Sequence, residues 1–215
     1  MRSSSPRSPE THCFRCYQRR EICICAILPT VFTKTEFLIL RHICEAERPS
    51  NTGRLAALIL PHARIIPCGG KSPIKKQNLD DEALQLPGTW LLWPDGPGTE
   101  MDFALAFPPS RIAVIDGTWH QARRLYQKAP ILRALPRLAL PAPAKARDRL
   151  RKQRRTDGMS TLEAIAAAIK GLEGAEVAEP LEKLYDELVR RTRALRWGKS
   201  DAAPNFPFDS SQRIL

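Results

Sequence analysis

Residues 112–124 read IAVIDGTWHQARR, and the change of character along this stretch decides the fold. An apolar run with β-branched members meets Asp-Gly, the pattern of a buried strand entering a turn. Thr118 then stands where it can cap a helix beginning at Trp119. In open α/β sheets ligands bind beyond the carboxyl ends of the strands, so an acid and a flat aromatic placed there suggest a site. The plainer alternative is that Asp116 only makes a turn and Trp119 only packs, since Asp-Gly turns are common.

The flanking sequence repeats the alternation. TEFLIL (35–40), ARIIPC (63–68), the start of TWLLWPDGPG (89–98) and PRLALPAP (136–143) read as further strands. SNTGRLAALIL (50–60) carries Leu55, Leu58 and Ile59 at helical spacing, and Pro61 stops it. STLEAIAAAIKGL (160–172) puts Leu162, Ile165, Ala166, Ile169 and Leu172 on one face, with Ser160 and Glu163 spaced as a capping box. PLEKLYDELVRRTRALRW (180–197) repeats the pattern with Leu181, Leu184, Tyr185, Leu188 and Val189. Residues 69–88 are polar and read as a loop or insertion. The expected class is α/β, a mainly parallel sheet covered by helices.

Composition narrows the partners. At 215 residues and 43% hydrophobic content the chain suits one globular domain, and no stretch has the apolar length of a membrane span. MRSSSPRSPE has no apolar segment behind its arginines, which argues against a secretory signal. A chain this long needs no disulfide staples, and four of its six cysteines crowd into residues 13–25, so reduced thiolates and a cytoplasmic location are expected. The formal charge is +11, and KARDRLRKQRR (145–155) holds seven basic side chains against one acid. A polyanion, most commonly nucleic acid, is the partner this predicts.

Cys13, Cys16, Cys23 and Cys25 are spaced C-x2-C-x6-C-x-C. Two close pairs bring four thiolates around one tetrahedral centre, the arrangement of structural zinc. The alternative is a set of redox-active thiols. Arg15, Arg19 and Arg20 lie between the ligands and either touch a phosphate backbone or are solvated surface. Cys44 and Cys68 are isolated and read as buried small side chains.

The knuckle, RPSNTGRLAALILP (48–61), IDGTWHQARRLYQKAP (115–130) and LRKQRRTDGMSTLEA (150–164) together resemble, in order and spacing, the DTW-domain proteins, especially the bacterial tRNA-uridine aminocarboxypropyltransferases. That family is related to SPOUT-type RNA methyltransferases. The resemblance implies a SPOUT-like sheet with a C-terminal trefoil knot, S-adenosylmethionine as donor, and transfer of its aminocarboxypropyl group to a tRNA uridine. The organisation it implies is a disordered leader (1–11), a zinc knuckle (12–30), a catalytic domain (31–198) and a tail (199–215). No membrane and no obligate protein partner are expected.

Alkylating the uracil nitrogen between two carbonyls requires removing its proton and aligning it with the donor carbon. Asp116 is the first candidate base; if it orients the donor's amino group instead, water or Glu163 takes the proton. Trp119 stacks on a nucleobase or packs beneath the turn. Gly53 and Arg54 sit where a helix begins, with Ser50, Asn51 and Thr52 supplying donors, and the group suits an anion, either the donor carboxylate or an RNA phosphate. Ser160 and Thr161 do likewise, unless they only cap. By analogy with knotted methyltransferases, Leu92, Trp93 and Pro94 after one strand and Ile115, Gly117 and Thr118 after another cradle adenosine. Arg123, Arg124, Arg151, Lys152, Arg154 and Arg155 are the expected RNA contacts. A methyltransferase and a non-catalytic zinc-containing RNA-binding module are the rival readings.

Overall fold

In a computed structural model, residues 8–70, 79, 82–94, 99–100, 107–141, 150 and 158–197 are described. Among the described residues six strands, all paired in parallel, form one sheet: β1 (Glu36–His42), β2 (Ala63–Cys68), β3 (Thr89–Leu92), β4 (Thr99–Glu100), β5 (Arg111–Asp116) and β6 (Arg137–Leu138). Their spatial order is β2-β1-β5-β3-β6-β4. The helices are α1 (Gly53–Ile59), α2 (Trp119–Lys128), α3 (Pro130–Ala134), α4 (Thr161–Glu173) and α5 (Ala175–Trp197).

Strand alternation divides the core in two. Phe37 and Ile39 of β1 and Ile112 and Val114 of β5 face α1, α4 and α5, while Leu38, Leu40 and Ala113 face α2 and α3. Both faces are covered, which is why these strands read as continuous apolar runs. The larger core also takes in Cys16 and Ile24, both fully buried, so the cysteine segment packs on the sheet's own core. It is pinned there by Arg54, whose guanidinium lies 3.5 Å over the Tyr17 ring, and by Gln18, which donates to the Pro49 carbonyl at 2.5 Å. Arg191 of α5 donates to the Cys23 carbonyl and also pairs with Glu187 at 2.6 Å.

Several expectations need correction. Among the described residues of the expected strand at 136–143, only Arg137–Leu138 is strand, because prolines at 136 and 141 remove ladder donors. The last helix begins at Ala175 and runs through Pro180. Gly174, with φ 110°, makes the corner that separates it from α4. Within 69–88, Glu82–Leu84 forms a short 3-10 turn whose Leu84 is buried in the α2/α3 core, so this segment is not wholly polar loop. Cys44 is exposed: it lies in a 3-10 turn after β1 that buries Glu45 instead. Cys68 is buried as expected.

Candidate active site

The carboxyl ends of β1, β5 and β3 lie side by side, with Arg41 opposite Asp116 and Leu92 opposite Val114. Sheet order thus brings together segments far apart in sequence. Asp116 is 3% exposed, and both its oxygens accept hydrogen bonds. Asn51 Nδ2 donates to Oδ2 and Thr161 Oγ1 donates to Oδ1, each at 2.6 Å. Asn51 Oδ1 in turn accepts from the Arg54 N–H, and Thr52 Oγ1 accepts from the Leu162 N–H. The starts of α1 and α4 are therefore interlocked around one carboxylate.

Gly53 is required at this point. A Cβ there would lie 2.5 Å from Asp116 Oδ2 and 2.7 Å from its Cγ. The short aspartate is tethered on both oxygens and cannot swing away.

On the other face, Trp93 lies between two rings of α2. It stacks on Trp119 with centroids 5.5 Å apart and on Tyr126 at 4.3 Å. Trp119 and Tyr126 are two helical turns, about 10.5 Å, apart on one helix face, so Trp93 is intercalated between them. Its ring faces are thereby occupied. Trp119 remains 41% exposed, which favours a platform for a planar ligand over simple core packing. Beyond it, His120, Arg123, Arg124 and Gln127 line an open cleft of about 400 Å³.

Thr118 caps α2 through a full capping box with Gln121. Gln121 Oε1 accepts from the Thr118 N–H at 2.6 Å, and its Nε2 faces His42 Nδ1 at 3.1 Å. The Cys44 N–H points to the same nitrogen at 3.2 Å. Burial, assisted by the charges of Arg48 and Arg124, holds the His42 pKa below its ordinary 6.5.

Among the other expected site residues, the structure draws distinctions. The Arg54 guanidinium turns into the protein, over Tyr17 and onto the Ala46 carbonyl, so it seals α1 against the cysteine segment. Ser160 and Glu163 complete their capping box, and the Thr161 hydroxyl is spent on Asp116. Ser50 lines a second cleft of about 440 Å³ together with His12, Arg19, Leu150 and Arg196. Arg151, Lys152, Arg154 and Arg155 lie outside the described residues. His42, Gln121 and Tyr126 were not singled out as site residues, and Asn51, expected as a donor at the start of α1, spends that donor on Asp116. Tyr126 alone had a local signal, its seven-residue spacing from Trp119.

The four sulfurs of Cys13, Cys16, Cys23 and Cys25 lie within 4.8 Å of one another and can hold one metal ion. Cys13 to Cys25 is 3.6 Å and Cys16 to Cys23 is 3.7 Å. Four ligands at about 2.3 Å around a tetrahedral centre stand roughly 3.8 Å apart, so the donor set fits zinc in kind and size. Contact with Cys16 and its neighbours holds Cys13 far below the usual thiol range, and contact with Cys13 pushes Cys25 above it.

Comparison with known proteins identifies the family. A family model described as DTW domain matches residues 10–193. A macaque (Macaca fascicularis) protein named tRNA-uridine aminocarboxypropyltransferase 2 is 29% identical over 93% of this chain and 70% of its own length. Mouse (Mus musculus) and fruit-fly (Drosophila melanogaster) proteins of the same name are 31% and 29% identical, over 78% and 80% of this chain. The alignment spans 57% of the mouse protein and 70% of the fly protein. These named relatives are animal proteins, whereas the motifs had suggested bacterial ones. No solved structure matches the chain. Among the described residues no helix is long and apolar enough to cross a membrane.

Proposed function

The chain belongs to the DTW domain family, and from that premise we propose that it is a tRNA-uridine aminocarboxypropyltransferase. The observation that carries this beyond the family match is the joint placement of a clamped acid and an exposed tryptophan at the carboxyl edge of a parallel sheet. S-adenosylmethionine would supply an electrophilic carbon beside its sulfonium, and methylthioadenosine would depart. The backbone of Leu92–Pro94 and of Ile115–Thr118 is assigned to the adenosine. Trp119 is assigned to the uracil, a stacking contact of about 1–3 kcal/mol.

Asp116 is better suited to positioning than to taking the uracil proton. Both its oxygens already accept bonds from Asn51 and Thr161, and it holds two helix starts in register. The ring-nitrogen proton then passes to water or to Glu163, whose carboxylate also accepts from the Ser160 N–H at 2.8 Å. Arg123 and Arg124 are assigned to tRNA phosphates, and the basic run at 151–155 to the same partner. Zinc held by Cys13, Cys16, Cys23 and Cys25 would have a structural role, keeping Tyr17 and Gln18 in place against Arg54 and Pro49. The SPOUT-like arrangement with a C-terminal knot is carried by the family resemblance, and the parallel sheet with helices on both faces is compatible with it. Residues 31–198 then form the catalytic unit and 12–30 the knuckle.

The test supplies unmodified tRNA and S-adenosylmethionine labelled in the carboxyl carbon, with a parallel reaction labelled in the methyl group. Label should enter tRNA from the carboxyl-labelled donor alone. Entry from the methyl-labelled donor would make the chain a methyltransferase, and entry from neither would favour a binding module.

A further inference from the structure

Gln121 and His42 form a pair to which the transferase reading gives no task. The Gln121 amide is oriented from one side, because its Oε1 accepts from the Thr118 N–H. The end facing His42 Nδ1 is therefore the nitrogen, which only donates. The Cys44 backbone N–H, also only a donor, reaches the same Nδ1. Two independent donors leave that ring nitrogen no proton of its own, and the imidazole is the Nε2–H tautomer.

The other edge of the ring borders Gly69, where only a residue without a side chain fits. Among the described residues Nε2 has no hydrogen-bond partner. A Cβ on Gly69 would lie 2.7 Å from Nε2 and 2.5 Å from Cδ2, and Gly69 has a φ of +77°. A Cβ on Gly117 would lie 3.5 Å from His42 Cβ, which places the histidine directly beside the glycine that follows Asp116. The charged groups facing it are Arg48, after β1, and Arg124 of α2; with burial they keep the ring neutral.

We propose that Gln121 is a positioning residue that locks His42 as a neutral Nε2–H donor, and that this donor binds a carbonyl oxygen of the substrate pyrimidine. The second half rests on the uridine reading above. When the ring nitrogen between two carbonyls loses its proton, negative charge spreads onto the flanking oxygens. A preset N–H aimed at one of them favours that charge without any rearrangement. His42 transfers nothing: its Nε2 proton stays in place, the uracil proton leaves to another acceptor, and the new N–C bond forms as the donor's C–S bond breaks.

Gln121→Glu is the sharpest test. Glutamate serves a capping box as well as glutamine does, so the start of α2 is retained. Its carboxylate, however, accepts where the amide donated, and draws a proton onto Nδ1. We expect kcat to fall tenfold or more, KM for tRNA to stay within twofold, and the acid limb of the pH–rate profile to move to higher pH. Nitrogen-15 spectra of histidine-labelled protein should show the Nε2–H tautomer in the wild type and a proton on Nδ1 in the variant. A second pair of variants guards against misfolding. His42→Gln, whose amide nitrogen falls near the Nε2 position, should retain more activity than His42→Asn. A wild-type Nδ1–H tautomer, an unchanged kcat and pH profile in Gln121→Glu, or the reverse order of the His42 variants overturns the proposal. A wild type that transfers no label to tRNA overturns the uridine reading and the pyrimidine half together, and the spectra still decide the tautomer.

Discussion

At the start of α2 a threonine and a glutamine exchange hydrogen bonds three residues apart, and at the start of α4 a serine and a glutamate do the same. Locally the two boxes are one device. Their surroundings differ. α4 is an interior helix, packed against α1, α5 and β5, and its first residue bonds Asp116. Its Glu163 lies near Tyr185, which is 2% exposed. α2 has an exposed side, and its box spends the spare end of Gln121 on His42. One box braces the fold, and the other arms the site.

The strongest way to break the comparison is to add one carbon beside each box. Gly53→Ala would force a Cβ to 2.5 Å from the Asp116 carboxylate that joins α1 to α4. Both tethers must break or the helix must move, and overpacking of this kind costs about 1–3 kcal/mol. Turnover should be lost and the denaturant midpoint should fall. At Gly117 the same carbon meets Gln121 Oε1 at 3.2 Å, a crowding that a longer side chain can relieve. Gly117→Ala should therefore keep its denaturant midpoint while losing part of its turnover. Equal midpoints for the two variants would remove the distinction.

Removing the cap hydroxyls should separate the boxes again. Ser160→Ala and Thr118→Ala each delete one cap, worth about 1 kcal/mol. If the boxes have different tasks, Ser160→Ala lowers thermal stability with a small change in kcat. Thr118→Ala should cost a similar amount of stability but lose much more of kcat, because it loosens the helix start that carries Gln121. Matched melting curves and initial rates would show this.

The α4 box and the α2 cap, though not its Gln121 half, were legible in the sequence as far as local spacing reaches. Ser160 with Glu163 and Thr118 as a cap depend on residues within one helical turn, and the cysteine cluster on spacing within 13 residues. What was not legible spans the sheet. Asn51 reaches Asp116 across 65 positions, and Gln121 reaches His42 across 79. Those pairings exist because β1 lies beside β5, an order that no single strand's composition encodes. Trp93 was visible as a strand-end aromatic, but its insertion between Trp119 and Tyr126 needs β3 beside β5. Arg54 was legible only in part for a related reason: a basic residue at a helix start suits an anion, but its place over the Tyr17 ring depends on how the cysteine segment packs.

Proton linkage gives the boxes opposite sensitivities. Burial, with the Glu163 charge, raises Tyr185 from 10 to about 12. The unfolded chain therefore ionises first as pH climbs, and stability is lost between about pH 10 and 12, by on the order of 2 kcal/mol. Tyr185→Phe should flatten that alkaline slope. His42 is shifted the other way, below 6.5, so the unfolded chain takes up a proton first as pH falls. Stability is lost below about pH 6.5, and His42→Gln should flatten that acid slope. Denaturant midpoints across the two windows check both signs, and either slope surviving its substitution would reassign it.

The smallest expected effect concerns the surface that only α2 presents. Arg123 and Arg124 line the open cleft beside His120, one turn from the exposed Trp119, and Arg124 is close enough to act on His42. If they hold tRNA phosphates, each contact releases about one counterion, and affinity falls with salt in proportion. Neutralising both, as Arg123→Gln with Arg124→Gln, should reduce the slope of log affinity against log salt by about 2. Nearly all of the loss should be in tRNA binding at low salt. Loss of one charge near His42 should also let its pKa rise slightly, which moves the acid limb of the rate profile in the direction expected for Gln121→Glu, by a smaller amount. Lys170 and Lys183 are the control on the α4/α5 side. Their ammonium groups already pair with Glu182 at 3.5 Å and Glu179 at 2.9 Å, and neutralising them should leave the salt slope unchanged. An equal change in slope from both pairs would mean that tRNA responds to net charge alone, and α2 would then have no special claim to the RNA.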